Sequence, residues 1–564
     1  MRLSPSSATW FCGLAAVLMA AACSKTPDAG PESSTTRDAL QAAVTPAVVA
    51  AVSAGSALEP GVRWRRPRTE ADVESAFAEA RAQGLPVFAY WGAVWCPPCN
   101  QVKATLFGRP DFIESSRRFV PLYLDGDLPG AQKLGAHFKV RGYPTMILFR
   151  PDGTELTRLP GEVDAQKYLQ MLDLGLGAAR PVKQLLAQAR SAPAQLSADE
   201  WRLLAYYAWD TDEQQVLPAA RRVATLTWLA RTCPVAQAEA RTRLLLKSLA
   251  AQADAGPATD RRKPDAAARG QVLDVLADER LVRENLDLIG NFAREITALL
   301  TTGGTPQREQ MVGVWASTLD RLTADPGLSQ GDRMSALISR VALARLGPAR
   351  EPVDPAGLST VLIEHVKHEA ARADREVADD VERQSVIPSA AHALAQAGLL
   401  DDADRLLEAE LKRSHSPYYA MLALAANARQ RGDKPAALGW YERAYAAAQG
   451  PATRVQWGVG YVNALVDLTP EDAQRIAQGA GSVLNELRGQ PDAFYERTAR
   501  SLERMSGKLL AWSQRADGAA VLGRLRAQRD DLCAALPAAD PQRPTCQALF
   551  AVPAAAPKAN PRPA

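Results

Sequence analysis

Aromatic residues are scarce in this 564-residue chain, at 6%, and cysteine is scarcer still, at seven. Few aromatics beside abundant alanine and arginine favour helix over sheet. Seven cysteines spread over such a length exclude a disulfide-stapled mini-scaffold. Charge of one sign is lacking too: 66 Lys and Arg face 63 Asp and Glu, a net charge of +3. That balance excludes nucleic acid or an anionic membrane surface as the main partner. No Gly-rich phosphate loop, nucleophile elbow or basic aromatic patch is found, and neither a metal nor a cofactor is expected. What remains is ordinary globular material, 47% hydrophobic and 23% charged. Whole-chain disorder is thereby excluded, and the length predicts several domains.

The first 22 residues read as an address. Met1 and Arg2 precede an apolar run from Ala8 to Ala22 that ends in Ala20-Ala21-Ala22-Cys23. A basic start, a short apolar core and small residues before a cut site predict a secretory signal. The run is shorter than the ~20 apolar residues a membrane span requires. Small residues directly before Cys23 resemble the lipobox of bacterial lipoproteins, with Ala20 where that family prefers leucine. The resemblance implies that Cys23 becomes the lipidated first residue, and Ser24 suits the outer rather than the inner membrane. Plain secretion, or an uncleaved apolar segment that happens to contain cysteine, is the alternative. Residues 23–61, rich in Ala, Ser, Thr and Pro, are expected to be a flexible tether.

Residues 62–178 alternate helical and extended patterns. An amphipathic helix from Glu70 to Gln83 precedes an apolar strand, Pro86 to Trp91, and then Trp95-Cys96-Pro97-Pro98-Cys99 opens a helix. A strand from Phe119 to Asp125, a helix from Ala131 to Phe138 and a strand from Met146 to Phe149 follow, with a hairpin turn at Pro151-Asp152-Gly153. A Cys-x-x-Cys between strand and helix sets Cys96 at a helix N-terminus, where free amides and the dipole stabilise a thiolate nucleophile. Cys99, one turn inward, is placed to resolve a mixed disulfide. Pro97 and Pro98 remove two donors near the sulfur, so the Cys99 N–H is the expected local partner. A permanent disulfide or half a zinc site are the duller readings of the pair. Zinc would need two more ligands, and neither a second Cys-x-x-Cys nor a spaced His pair lies nearby. His137 reads as a surface or packing residue.

This order of elements and motifs resembles thioredoxin and the C-terminal domain of periplasmic thiol:disulfide interchange reductases. The resemblance implies an α/β thioredoxin fold with Cys96 and Cys99 as a redox-active disulfide. It also implies that Trp95, flanking an exposed cysteine, and Tyr143 and Pro144, a cis-proline pair, contact substrate. One position departs from the family. The buried carboxylate usual six residues before the first cysteine is Tyr90 here, and Asp125 and Glu74 are the other acids nearby.

Residues 179–550 predict a large all-α domain. Gly398-x4-Ala403 recurs as Gly432-x4-Ala437, 34 residues on. The second copy, continuing to Tyr441 and Ala444, resembles half of a tetratricopeptide repeat and implies an α-solenoid with a protein-binding face. The first copy has Glu410 where alanine is usual, and a third near Ala473 is two residues out of register. A plain helical bundle is the alternative. Cys533 and Cys546 flank a Pro-rich loop and are a candidate structural disulfide, whereas Cys233 reads as a buried free thiol. Glu364, His365, His368 and Glu369 crowd one helix and are expected to form a solvated face. The tail, residues 551–564, is expected to be disordered.

Together these readings predict an envelope-anchored thiol–disulfide oxidoreductase, of reductase or isomerase rather than oxidase type. Its helical repeats would recruit protein clients, and its partners would be protein thiols or disulfides and an upstream redox protein. The competing expectation is a non-enzymatic adaptor or periplasmic chaperone that uses a thioredoxin-like docking module.

Overall fold

The computed structural model describes residues 61–161, 164–212, 215–255, 264–346, 357–515 and 518–551. The signal segment with Cys12, the lipidation candidate Cys23, the tether up to residue 60 and the tail from residue 552 lie outside the described residues.

Helix α1 (Glu70–Gln83) begins at a capping box in which Thr69 and Asp72 satisfy each other's backbone amides. It stops at Gly84, whose φ of 65° is left-handed. β1 (Val87–Gly92) is buried at every residue, as its central place requires. It pairs in parallel with β2 (Val120–Asp125) and antiparallel with β3 (Thr145–Phe149), and β4 (Glu155–Leu159) closes the order β2-β1-β3-β4. A strand with neighbours on both sides and helices on both faces needs apolar side chains throughout, which is why it reads as a continuous run. The register sets Gly92 opposite Asp125 and Trp91 opposite Thr145. The end of β1 therefore meets the Tyr143–Pro144 corner and the β2 exit. α2 (Pro97–Val102) leaves this end and runs into a π-helical turn at Lys103–Phe107. α3 (Pro110–Ser115), α4 (Ala131–His137) and α5 (Ala165–Leu176) complete this part.

Beyond Leu159 the described residues hold no further strand. The helices are α6 (Val182–Ser191), α7 (Ala198–Tyr206), α8 (Arg222–Thr232), α9 (Ala238–Asp254), α10 (Ala266–Ala277), α11 (Glu279–Glu284) and α12 (Leu286–Leu300). They continue with α13 (Pro306–Ala324), α14 (Gln330–Ala344), α15 (Thr360–Glu376), α16 (Asp380–Gln396), α17 (Leu400–Glu410) and α18 (Pro417–Gln430). The last are α19 (Lys434–Ala447), α20 (Pro451–Leu468), α21 (Ala473–Glu486), α22 (Glu496–Trp512), α23 (Gly518–Ala535) and α24 (Arg543–Ala548). The fold is thus a thioredoxin-like α/β unit followed by a large all-α region. Gly398 and Gly432, with φ of 79° and 76°, turn the chain between α16 and α17 and between α18 and α19. Ala403, Ala437 and Ala444 are completely buried where the paired helices close on each other. Glu410, the odd residue of the first copy, is buried and accepts from Arg383 at 2.7 Å and 3.0 Å. Its charge is matched by a guanidinium where the sequence pattern would place a methyl.

Packing does not stop at residue 178. One apolar core runs from Val62 through α9 and takes in Tyr418, Tyr419 and Trp457 from much later in the chain. Arg158 of β4 is fully buried. It donates to the Thr211 carbonyl at 2.7 Å and pairs with Glu155, while its own carbonyl accepts from Ala208 N–H. From α14 to α22, each even-numbered helix places a side chain on the thioredoxin-like unit: Asp332, Gln384, Tyr419, Trp457 and Arg497.

Candidate functional site

Cys96 is the N-cap of α2, and Pro97 and Pro98 occupy the first two helical positions, where no amide is required. The Cys99 N–H donates to Cys96 Sγ at 3.2 Å, so the expected local donor does point at the sulfur. Cys96 and Cys99 are joined as a disulfide, Cα to Cα 5.2 Å. Asn100 secures the approach loop by donating to the carbonyls of Val94 at 2.7 Å and Cys96 at 3.0 Å.

Around the pair lie the other expected site residues. The Tyr143–Pro144 peptide is cis, and the Tyr143 ring stacks on Trp91 at 5.5 Å and meets Trp95 edge-on at 5.9 Å. Trp95 Nε1 donates to Asp127 Oδ2 at 2.8 Å.

The exposed cysteine implied by resemblance is not exposed. Cys96 is 1% accessible and Cys99 is fully buried, and Trp95, Tyr143 and Pro144 are buried with them. The cause is the helical array. Tyr419 of α18 stacks on Trp95 at 6.0 Å, and Trp457 of α20 meets it edge-on at 4.9 Å. The Arg497 guanidinium of α22 lies 5.4 Å from the Trp95 ring and 5.1 Å from the Tyr143 ring. It also pairs with Asp127, which accepts from Thr453 Oγ1 as well. Gln384 donates to the Trp95 carbonyl at 3.3 Å, and His415 Nε2 sits 3.0 Å from the Val94 carbonyl oxygen. Sequence reasoning missed Asp127, Thr453, Tyr419, Trp457 and Arg497. No local pattern marks them, because the chain brings them together only across the whole fold.

The acids sort themselves by position. Glu74 is exposed on α1 and pairs with Arg81. Tyr90 is fully buried with its hydroxyl 3.5 Å from the Cys99 carbonyl. Burial first, and then the nearby Asp125 charge, push its phenol well above the usual value, so it stays protonated. Asp125, at the β2 exit opposite Gly92, lies with Asp127 at this end of the sheet. Burial, and then the neighbouring Asp127, push it up to about 6.

The remaining candidates lie elsewhere. Cys533 and Cys546 form a disulfide, Cα to Cα 5.8 Å, tying α23 to α24. Cys233 is a buried free thiol, pushed up to about 11 by burial. His137 is exposed and edge-on to Phe138. The Glu364–Glu369 stretch is not wholly a solvated face: Glu369 is buried and pairs with Arg372 and Arg333. Among the described residues no three His, Cys, Asp or Glu side chains group as metal ligands.

A dithiol at a helix N-terminus beside a cis-proline is the layout of a thioredoxin-like unit, and residues 73–175 match the family model described as the thioredoxin-like domain. That stretch is a thioredoxin-like domain within a longer chain. The chain is 37% identical over 107 residues to the thiol:disulfide interchange protein DsbD of Pseudomonas fluorescens, covering 18% of each. It is 30% identical over 128 residues to DsbD 1 of Pseudomonas aeruginosa, covering 22% of each. It is also 28% identical over 109 residues to DsbD of Klebsiella pneumoniae, covering 19% of this chain and 18% of that protein. The chain thus spans about a fifth of the length of these curated relatives. Among solved structures, a thioredoxin from Thermus thermophilus aligns at 24% identity, covering 24% of this chain and 98% of that one, with a TM-score of 0.19.

Proposed function

We propose that the chain is a thiol–disulfide oxidoreductase of reductase or isomerase type, with Cys96 as nucleophile and Cys99 as resolving thiol. The observation that carries the reading is the Cys96 sulfur at the N-cap of α2, accepting the Cys99 N–H in a thioredoxin-like unit. In the reduced protein the Cys96 thiolate attacks a substrate disulfide, forming a mixed disulfide and expelling one substrate thiolate. The Cys99 thiolate then attacks Cys96 Sγ, expels the second substrate thiolate and closes the Cys96–Cys99 bond. Two electrons and two protons pass from dithiol to substrate, and a partner dithiol protein must return them. Trp95, Tyr143 and Pro144 form the surface that receives the substrate chain.

The test is turnover of a protein disulfide such as insulin by the soluble chain with a dithiol reductant, beside Cys96→Ser. Turnover in the wild type that falls to background in the variant is the expected result, and equal rates overturn the reading. One observation favours the adaptor alternative, the burial of the dithiol beneath the helices. Equal rates would give that alternative the field.

The setting proposed is the bacterial cell envelope, facing the periplasm, with Cys23 lipidated, on the outer rather than the inner membrane. Two features support it: the small-residue run before Cys23 and the similarity of residues in the thioredoxin-like unit to thiol:disulfide interchange proteins. Among the described residues no helix is long and apolar enough to cross a membrane. Labelled palmitate should enter the wild type and not Cys23→Ala; incorporation that survives the substitution refutes the anchor.

A further inference from the structure

The helical array covers the surface that a protein disulfide would need. In this arrangement no second chain can reach Cys96 Sγ, since Tyr419, Trp457 and Arg497 lie on the Trp95 and Tyr143 rings that border it. Thiol–disulfide exchange requires the attacking sulfur to align with the disulfide, so at 1% accessibility Cys96 is inert toward macromolecules.

The cover is held by two kinds of contact. Tyr419 and Trp457 share one apolar core with Trp95, Cys96 and Cys99. Polar clasps are added to it: Asp127 with Arg497 and Thr453, Gln101 with Asp332 at 2.9 Å, Gln384 with the Trp95 carbonyl. These clasps are incompletely satisfied. Arg497 is buried with its guanidinium against the Trp95 and Tyr143 rings, yet its Nε and Nη1 have no hydrogen-bond partner among the described residues. Burying a cation with two idle donors is costly, and those donors regain water when the contact opens.

We propose that the α14–α22 face of the helical array is a cap latched over the dithiol by the Asp127–Arg497–Thr453 clasp, and that protein disulfides reach Cys96 only when this cap lifts. A client then competes with Tyr419, Trp457 and Arg497 for the Trp95–Tyr143–Pro144 surface. The array acts as a built-in occupant of the substrate site. This inference rests on the reading of Cys96–Cys99 as an exchanging dithiol.

The experiment follows phosphine reduction of the Cys96–Cys99 disulfide in the full soluble chain, quenching with N-ethylmaleimide and quantifying each cysteine by peptide mass spectrometry. The Cys533–Cys546 disulfide is the internal reference, because global loosening would speed both bonds. Arg497→Met should accelerate Cys96–Cys99 reduction about tenfold or more, Thr453→Val less, with the Cys533–Cys546 rate unchanged. Equal Cys96–Cys99 rates in wild type and both variants overturn the cap, as does a rise shared equally by both disulfides. Insulin turnover by the same proteins separates the two claims. Faster phosphine reduction without turnover in any variant upholds the cap and sinks the exchange reading. Turnover at one rate in all three proteins upholds exchange and sinks the cap.

Discussion

Asp127 takes three hydrogen bonds at once, from Trp95, Thr453 and Arg497, and so links the tryptophan beside Cys96 to two helices of the array. Another carboxylate at the covered surface bears a cost that depends on pH. Asp332 accepts from Gln101 and Ser329 and has Asp164, itself paired with Arg283, as a charged neighbour. Burial pushes it up to about 6, against the hydrogen bonds that lower it. A carboxyl raised on closure favours the closed state when protonated. Closure is therefore strongest below the ordinary aspartate value near 3.8 and weakens as pH rises through about 6. Phosphine reduction of Cys96–Cys99, normalised to Cys533–Cys546, should thus rise between about pH 4.5 and pH 7. Asp332→Asn should remove that rise. A flat normalised profile in the wild type contradicts this account of Asp332.

Elements were legible wherever local chemistry decides them. The strand–Cys-x-x-Cys–helix junction, the helix start at Pro97 and the donor left to Cys96 all follow from neighbours in sequence. The glycine spacing was legible for the same reason, since Gly398 and Gly432 both take the left-handed turn that a side chain resists. The third copy was misaligned because α20 has 18 residues where α18 has 14. Ala473 accordingly opens α21, and Ile476 fills the buried fourth position held by Ala403 in α17 and Ala437 in α19. Glu410 and Glu369 were harder, because the repeat pattern marks Glu410 only as a departure from alanine and charge patterning reads Glu369 as solvated. Each is buried against an arginine from another helix, Arg383 and Arg333 respectively, and a one-dimensional pattern does not reveal that pairing.

At the scale of the whole molecule the sequence reading divided what the fold unites. It assigned chemistry to residues 62–178 and recruitment to residues 179–550. In the structure the array instead bears directly on the dithiol, through Tyr419, Trp457 and Arg497. These residues are separated from Cys96 by most of the chain, so neither spacing nor motif could connect them to it. Two proposed properties therefore meet at Cys96: exchange of disulfides and control of access by the helices. The most direct test is to trap the exchange intermediate with Cys99→Ser, in otherwise wild-type chain and together with Arg497→Met, against a protein disulfide. A mixed disulfide through Cys96, scarce with the clasp intact and abundant with Arg497→Met, is the predicted result. No mixed disulfide in either background, or equal yields in both, would contradict it.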